Sequence, residues 1–225
     1  MRVPPLPAEQ WDDDKVRAVI DMACSPDRRA PGASGNAIAT LVQHPDLAGA
    51  YLPFSAYLLT GSTLPPALRE LAILRLAHRT SCEYEWSHHL PMGRRAGLTD
   101  EDVTAASGAD VTAASGADVT AASGADVTAA SGADVTAASG ADVTAASGAE
   151  TDSEQHHLVI AAVDDLIDHA MISEQTWQGL AGFLERRQLM DLVFTVGGYL
   201  TLAMGLNSFG VQPESDEWRE DAHRS

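Results

Sequence analysis

The sequence of 225 residues predicts an all-α fold. Apolar residues recur at the spacing of helices through most of the chain, and prolines and glycines mark the boundaries between these segments. No segment shows the alternating pattern of a half-buried strand. One stretch is irregular: the octapeptide DVTAASGA occurs six times, unchanged, in residues 102–149. We therefore expect a single helical domain, residues 1–225, interrupted by this low-complexity repeat insertion.

The N-terminal part divides into an arm and three helices. Residues 1–10 are rich in proline and predict an extended arm, which in an oligomer would lie across a neighbour. Acidic residues that precede apolar ones predict a helix over residues 11–24. After a loop, residues 36–44 predict a short helix and residues 45–61 a longer one that begins at a proline and ends at a glycine. We expect the aromatic residues of this longer helix in the core or in a pocket wall.

Residues 68–78 carry apolar side chains almost all around a helix, so this helix must be buried. Glu70 and Arg75 are its exceptions. A carboxylate in a buried helix needs a partner or a shifted pKa. Arg75 therefore has two possible roles, which are to pair with Glu70 or to hold a substrate carboxylate.

A second helix is predicted from about residue 81 to residue 96, followed by Gly97 as its C-cap. Cys82, Glu85 and His89 share one face of this helix, with Trp86 beside them. In this spacing Glu85 can hold one imidazole nitrogen while the other nitrogen faces a substrate, as acid/base catalysis requires. The alternative is a solvated surface pair, which is the commonest role of a glutamate and a histidine four residues apart.

The spacing of these residues resembles the motif of a known family. Glu70 is followed by eleven residues, Cys82, two residues, Glu85, three residues and His89. This is similar to the motif of the carboxymuconolactone decarboxylase family, which includes alkyl hydroperoxidase D, except that the second cysteine of the motif is replaced by Glu85. The run EYEWSHH at residues 83–89 resembles the decarboxylase-like branch, in which a glutamate occupies that position.

The resemblance implies a helical bundle of the alkyl hydroperoxidase D type that assembles as a homo-oligomer, a trimer or hexamer. It implies cofactor-free acid/base chemistry, namely decarboxylation of a small lactone or oxo-carboxylic acid. His89, oriented by Glu85 or Glu70, is then the expected proton donor. The candidate catalytic residues are His89, Glu85, Glu70 and Cys82. The candidate substrate-binding residues are Arg75, Trp86 and Tyr84.

Two other functions remain open. The first is a thiol-dependent peroxidase that uses Cys82, whose thiolate would be favoured by His89 and by a helix N-terminus. Glu85 within one turn disfavours that thiolate, and no resolving cysteine lies near in the sequence. The second is a catalytically silent oligomeric binding protein.

Composition excludes several classes of partner. The net charge of −18 repels nucleic acids and anionic membranes. The N-terminus lacks the pattern of a signal peptide, and we expect no segment long enough to span a membrane. Cys24 and Cys82 form neither a disulfide framework nor a zinc pattern. We expect a cytoplasmic protein without a metal or cofactor that acts on a small molecule, and its preference for arginine over lysine indicates a bacterial genome rich in GC.

The repeat interrupts otherwise continuous helical sequence. Its valines recur every eight residues and drift around a helix, so they form no continuous apolar face. We interpret five of the copies as a tandem duplication, and we expect a mobile insertion. A stacked solenoid is the alternative, although valine and alanine bury little area.

After the repeat, the sequence predicts helices over residues 152–169 and 173–184 and a long apolar helix from Glu185. This last helix suits the core or a subunit contact. His156 and His157 have no third ligand nearby, so we expect a solvated first turn and not a metal site. The acidic tail after Pro213 is expected to fray.

Overall fold

The computed structural model describes residues 1–108 and 141–214, with side chains described outside residues 141–151. Within these ranges the protein is helical and contains no strand, so the predicted all-α class is confirmed. Two short 3-10 helices, Ala8–Gln10 and Pro26–Arg28, and a π-helix, Tyr57–Gly61, join the longer elements. The α-helices are α1 (Asp14–Ala23), α2 (Asn36–Leu41), α3 (Pro45–Ala56), α4 (Pro66–Arg79), α5 (Glu83–Arg95), α6 (Asp100–Ala106), α7 (Ala141–His169), α8 (Glu174–Ala181) and α9 (Arg186–Phe209).

Helix α4 forms the centre of the bundle. It begins with Pro66 in its first turn. Backbone N–H groups in the first turn have no acceptor within the helix, so the missing N–H of proline costs no hydrogen bond there. Helices α5, α6, α7 and α9 pack around it, and this enclosure explains its all-round apolar sequence. Burial of each of its leucines contributes about 1.5–3 kcal/mol. Its buried apolar residues are Leu68, Leu71, Ala72, Ile73, Leu74, Leu76 and Ala77.

The N-terminal arm packs against its own chain. The amides of Arg2 and Val3 donate to the Phe209 carbonyl at 2.6 and 3.1 Å, and the Leu6 amide donates to the Ala39 carbonyl at 2.7 Å. Leu6 is buried in a small apolar cluster formed with α1, α2 and α3. The arm is therefore tied to the end of α9 and to α2 of its own chain.

The two elements beside the repeat lie against each other. Thr99 caps α6 through a capping box with Asp102, as its sequence predicts. The other Asp102 oxygen contacts His156 Nδ1 of α7 at 2.6 Å. His156 is therefore paired and not solvated. The expectation of a mobile insertion falls largely on residues 109–140, which lie outside the described residues.

Helix α9 is long and apolar. Its 24 residues and its hydropathy would suit a membrane span, so the expectation that no segment reaches that length is wrong. Half of its most apolar stretch is nevertheless buried in the bundle, as in a core helix. Gly210 ends the helix in the left-handed conformation, with φ of 72°.

Candidate functional site

The tight connection between α4 and α5 aligns the motif residues. Ser81 adopts a positive φ of 51°, and the Cys82 amide donates to the Ala77 carbonyl at 2.8 Å. Cys82 is the N-cap of α5, which begins two residues later than the sequence indicated. Because the two helices then run antiparallel, Glu70 near the start of α4 meets His89 in the middle of α5.

Glu70 and His89 form a buried pair. His89 Nδ1 lies 2.7 Å from Glu70 Oε2, and their side chains are 9% and 1% exposed. The other Glu70 oxygen accepts hydrogen bonds from Arg69 Nε and Nη2, both at 3.1 Å. Glu70 rather than Glu85 therefore orients the imidazole, and Arg69 rather than Arg75 neutralises Glu70. The contact uses Nδ1 of His89, and no hydrogen bond to Nε2 occurs among the described residues.

Glu85 lies one turn before His89 on α5 and is the most unusual group of the site. It is 2% exposed, and neither of its carboxyl oxygens meets the geometry of a hydrogen bond with a described residue. Burial raises the pKa of Glu85 to about 8, and a weak interaction with the nearby Cys82 thiol opposes this rise only in part. Glu85 is therefore a neutral carboxylic acid at pH 7. Buried polar groups without partners are rare, and they are frequent where a protein does chemistry.

Cys82, Glu85 and His89 form a polar row along α5, and Cys82 lies at its N-terminal end. Burial and the neighbouring charge of Glu85 raise the pKa of its thiol to about 12, and the amides of the α5 N-terminus offset this rise only in part. The thiol is therefore protonated at neutral pH. Cys24, the second cysteine, belongs to the separate N-terminal apolar cluster.

Two tyrosines complete the polar row and were not predicted as site residues. Tyr199 of α9 packs edge-on against the His89 ring, with centroids 5.0 Å apart. Burial, together with the charges of Glu70 and Glu85, raises the pKa of Tyr199. Tyr51 of α3 donates to the Gly198 carbonyl at 2.9 Å, and burial raises its pKa to about 12. Tyr51 was expected only as core or pocket wall.

A pocket of about 500 Å³ opens beside Cys82. Among the predicted site residues it contacts Cys82 and Trp86, whereas Glu85, His89 and Glu70 lie deeper in the bundle. Its volume suits a small organic molecule. The residues that line it are Ala77, His78, Ser81, Cys82, Glu83, Trp86, Ser87 and Pro213.

Tyr84 and Arg75 do not face this row. The Tyr84 hydroxyl donates to Glu214 Oε1 at 2.9 Å, and His88 Nε2 lies 2.8 Å from Glu214 Oε2. Burial opposes the charge of Glu214, but hydrogen bonds from His88 and Asn36 outweigh it and lower its pKa to about 2. The tail is thus anchored at this residue and does not fray immediately after Pro213.

Arg75 points to the opposite side of α4. Its Nε and Nη2 donate to Asp164 of α7, both at 2.8 Å, and its Nη1 donates to the Ala106 carbonyl at 3.3 Å. Arg79 also contacts Asp164, at 2.6 Å. The expected pairing of Arg75 with Glu70 is therefore wrong, and its donors are engaged in helix packing.

No group of three possible metal ligands occurs among the residues that the structure describes. His156 binds Asp102, and His157 Nδ1 contacts the Ser153 carbonyl of its own helix at 2.7 Å.

Residues 45–127 match the model of the carboxymuconolactone decarboxylase family. This match contains the row from Glu70 to His89. The family match over these residues, together with the helical fold, supports a relationship to the carboxymuconolactone decarboxylase superfamily. No curated protein sequence gave a significant match.

Two solved structures of this superfamily's fold are similar to the chain. The debrominase Bmp8, in its apo form, is 14% identical with a TM-score of 0.56, and the match covers 95% of this chain and 92% of Bmp8. A protein of unknown function from Agrobacterium tumefaciens, provisionally described as the antioxidant defence protein AhpD, is 13% identical with a TM-score of 0.52. That match covers 77% of this chain and 94% of the other. At these identities the likeness concerns the fold alone.

Proposed function

We propose that the protein catalyses proton transfer without a cofactor, in the decarboxylation of a small lactone or oxo-carboxylic acid. The observation that carries this proposal is the buried, unpartnered Glu85, whose pKa of about 8 keeps it protonated at neutral pH. A neutral carboxylic acid can donate a proton to a carbanion, or a hydrogen bond to an enolate oxygen.

The reaction needs one proton for each CO2 released. The carbon–carbon bond to the carboxylate breaks, its electron pair remains on the substrate as an enolate, and CO2 leaves. Glu85 then gives its proton to the carbon. His89, one turn further along α5, takes up a proton from water, and Glu70 stabilises the imidazolium that forms. The imidazolium then returns a proton to the Glu85 carboxylate, so that each cycle consumes one solvent proton.

Arg69 is the best candidate for binding the substrate carboxylate. Its side chain is 13% exposed, and its Nε and Nη2 bind Glu70, while Nη1 has no side-chain partner among the described residues. We assign carboxylate binding to Arg69 and not to Arg75, because the Arg75 donors are engaged with Asp164 and Ala106. Trp86 contributes an apolar wall to the pocket beside Cys82, which we assign as the substrate entrance.

The test is CO2 release, followed by ¹³C NMR, from a panel of carboxylated lactones and oxo acids. On a substrate that the wild type converts, Glu85→Gln removes the proton donor but keeps the shape, so we expect a loss of about 10²–10⁴-fold. Glu154→Gln changes an exposed glutamate of α7, away from the pocket, and serves as the matched control. Equal turnover of the two variants would exclude Glu85 as the acid.

Thiol-dependent peroxide reduction is the second candidate, because Cys82 contacts the pocket and caps the N-terminus of α5. In that reaction the thiolate attacks the peroxide, the O–O bond breaks, and an external thiol must reduce the resulting sulfenic acid. The raised pKa of Cys82 opposes it.

Cys82→Ser separates the two candidates. We expect it to retain turnover of the decarboxylated substrate within a few-fold, and we expect the wild type to consume little peroxide in the presence of dithiothreitol. Rapid peroxide consumption that Cys82→Ser abolishes would instead favour the peroxidase.

A further inference from the structure

The chain that follows α9 returns to the bundle and is held there. After Gly210 ends the helix, residues 211–214 have no regular secondary structure. Val211 is buried in the main apolar core, and its amide donates to the Leu206 carbonyl at 2.9 Å. Glu214, three residues later, is 9% exposed. The segment is therefore fixed to the bundle at both ends, and we call residues 211–214 the strap.

Groups from two other elements hold Glu214. Its Oε1 accepts hydrogen bonds from the Asn36 amide at 2.6 Å and from the Tyr84 hydroxyl at 2.9 Å. Its Oε2 lies 2.8 Å from His88 Nε2. Tyr84 and His88 are one turn apart on α5, and their rings stack with centroids 4.1 Å apart. Two donors and an imidazole thus converge on one carboxylate, which explains why a buried charge is tolerated at this position.

Gly35 leaves the space that this carboxylate occupies. Its φ of 87° is one that residues with a side chain rarely adopt. A Cβ atom there would lie 3.1 Å from Glu214 Oε1 and 3.2 Å from the Tyr84 hydroxyl. Both the backbone conformation before α2 and the absence of a side chain therefore suit the binding of Glu214.

The strap also borders the pocket beside Cys82. Pro213, which precedes Glu214, is one of the residues that line this pocket of about 500 Å³. The other lining residues belong to α4, to α5 and to the turn that joins them. Among the described residues, therefore, only Pro213 reaches the pocket from outside these two helices and their turn, and the position of this part of the wall depends on the strap.

We infer that Glu214 latches the strap beside the pocket and thereby limits the size of the molecules that reach Cys82. Between Val211 and Glu214 the strap has one other tie to the bundle among the described residues, the exposed hydrogen bond from Asn36 Nδ2 to the Gln212 carbonyl at 2.9 Å. A single exposed hydrogen bond does not offset the entropy of ordering such a segment. Release of Glu214 therefore frees Pro213 and opens the pocket on that side.

The test uses the two free cysteines of the full chain as reporters of access. Cys82 lines the pocket, whereas Cys24 is buried in the separate N-terminal apolar cluster. N-ethylmaleimide is the small probe and tetramethylrhodamine maleimide the bulky one. Peptide mapping by mass spectrometry gives the rate of modification at each cysteine. Each rate is divided by the rate of the same reagent with glutathione, so that differences in intrinsic reactivity between the reagents cancel.

The wild type should react with the small probe faster than with the bulky one at Cys82. Glu214→Ala should raise the rate of the bulky probe there by about tenfold or more, because modification tracks the population of the open state. The rate of the small probe should change much less. Asn36→Ala removes the other tie and should act in the same direction with a smaller effect. Glu154→Ala, which changes an exposed glutamate of α7, is the matched control and should leave both rates unchanged.

Three results would overturn the inference. Equal normalised rates of the two probes at Cys82 of the wild type would show that the pocket sets no size limit. Wild-type rates in Glu214→Ala would show that this carboxylate is not the latch. A parallel rise at Cys24 would show that the substitution loosens the whole fold and not the strap alone. Because no substrate is present, these outcomes are independent of the proposed reaction.

Discussion

Two polar clusters lie on opposite sides of α4, and they differ in how completely their charges are paired. On the side of α7, Asp164 binds both Arg75 and Arg79, and Arg79 also contacts Asp168 at 2.6 Å. The Arg75 guanidinium uses its remaining nitrogen for the Ala106 carbonyl. Such a network is what helix packing requires, since a buried charge is tolerated when its hydrogen bonds are satisfied.

The side that faces α5 and α9 is not satisfied in the same way. Glu70 has a partner at each oxygen, in Arg69 and His89, but Glu85 beside them has none among the described residues. A protein selected only for stability would replace such a group with an apolar one. On our proposal, the paired charges on one side of α4 serve helix packing and the incompletely paired group on the other side serves proton transfer.

The largest effect should follow from changing His89. On a substrate that the wild type converts, His89→Gln should reduce turnover by about 10²–10⁴-fold, because the proton relay to Glu85 is lost. Steady-state kinetics and a melting curve are to be measured together. His157→Gln, an exposed histidine of α7, is the control. If both variants keep turnover within a few-fold, the buried pair is structural and the contrast between the two sides of α4 disappears.

The next effect concerns stability. Glu85 in the fold has a pKa of about 8, raised from an ordinary value of 4.5, so between these pH values the folded state binds more protons than the unfolded state. Stability should fall as pH rises through this window and level off above it. Glu85→Gln removes the dependence and should be more stable than the wild type at pH 8.5, by about 2–5 kcal/mol.

Urea unfolding at pH 5, 7 and 8.5 measures this difference. Glu83→Gln should follow the wild type at each pH, because that side chain is exposed. A wild-type stability that is flat from pH 5 to pH 8.5 would show that Glu85 is ionised or partnered in solution.

On the opposite side of α4 a neutralising substitution should lower the free energy of unfolding, whereas Glu85→Gln should raise it. Asp164→Asn leaves Arg75 without a carboxylate partner and Arg79 with Asp168 alone, so it should destabilise the fold by about 1–3 kcal/mol at neutral pH. Turnover per folded molecule should not change. Asp168→Asn removes a more exposed contact, 49% exposed, and should have a smaller effect on unfolding. A loss of turnover in Asp164→Asn without a loss of folded protein would contradict the division.

The smallest effect is expected from the repeat. Deletion of residues 110–149 keeps one copy, and with it the Asp102 contact to His156 that joins α6 to α7. Loop closure depends weakly on length, so the change in unfolding free energy should be about 1 kcal/mol or less. Melting temperature and solution mass are the measurements. A drop of several degrees, or loss of the assembled mass, would show that the repeat is structural.

The sequence was sufficient to predict those elements whose pattern lies within a few neighbouring residues. The buried helix of residues 68–78 and the long apolar helix from Glu185 were predicted from the spacing of apolar residues, and the structure confirms both. The motif, whose residues lie on two consecutive helices, also predicted that Glu70, Glu85 and His89 belong to one site.

The partners of these residues depend on contacts distant in sequence, and these were missed. The sequence left two roles open for Arg75, pairing with Glu70 or binding a substrate carboxylate, but its side chain binds Asp164, 89 positions away. Tyr199 reaches His89 from the last helix, and no periodicity marks it as different from its apolar neighbours. Arg69 was not predicted as a partner of Glu70, because adjacent residues on a helix ordinarily point about 100° apart. Only its position next to Glu70 in the sequence could have suggested the pairing.

Gly93 lies where α4 and α5 pack closely against each other. A Cβ atom at this position would meet Leu98 at 2.9 Å, Leu74 at 3.3 Å and the Glu70 Cβ at 3.5 Å. The first two contacts are to the ends of leucine side chains, which an alanine at this position would displace by a few tenths of an ångström. The Glu70 Cβ would come into ordinary van der Waals contact with the added methyl group. The absence of that methyl group therefore lets α4 and α5 pack closely one turn from the 2.7 Å contact between Glu70 and His89.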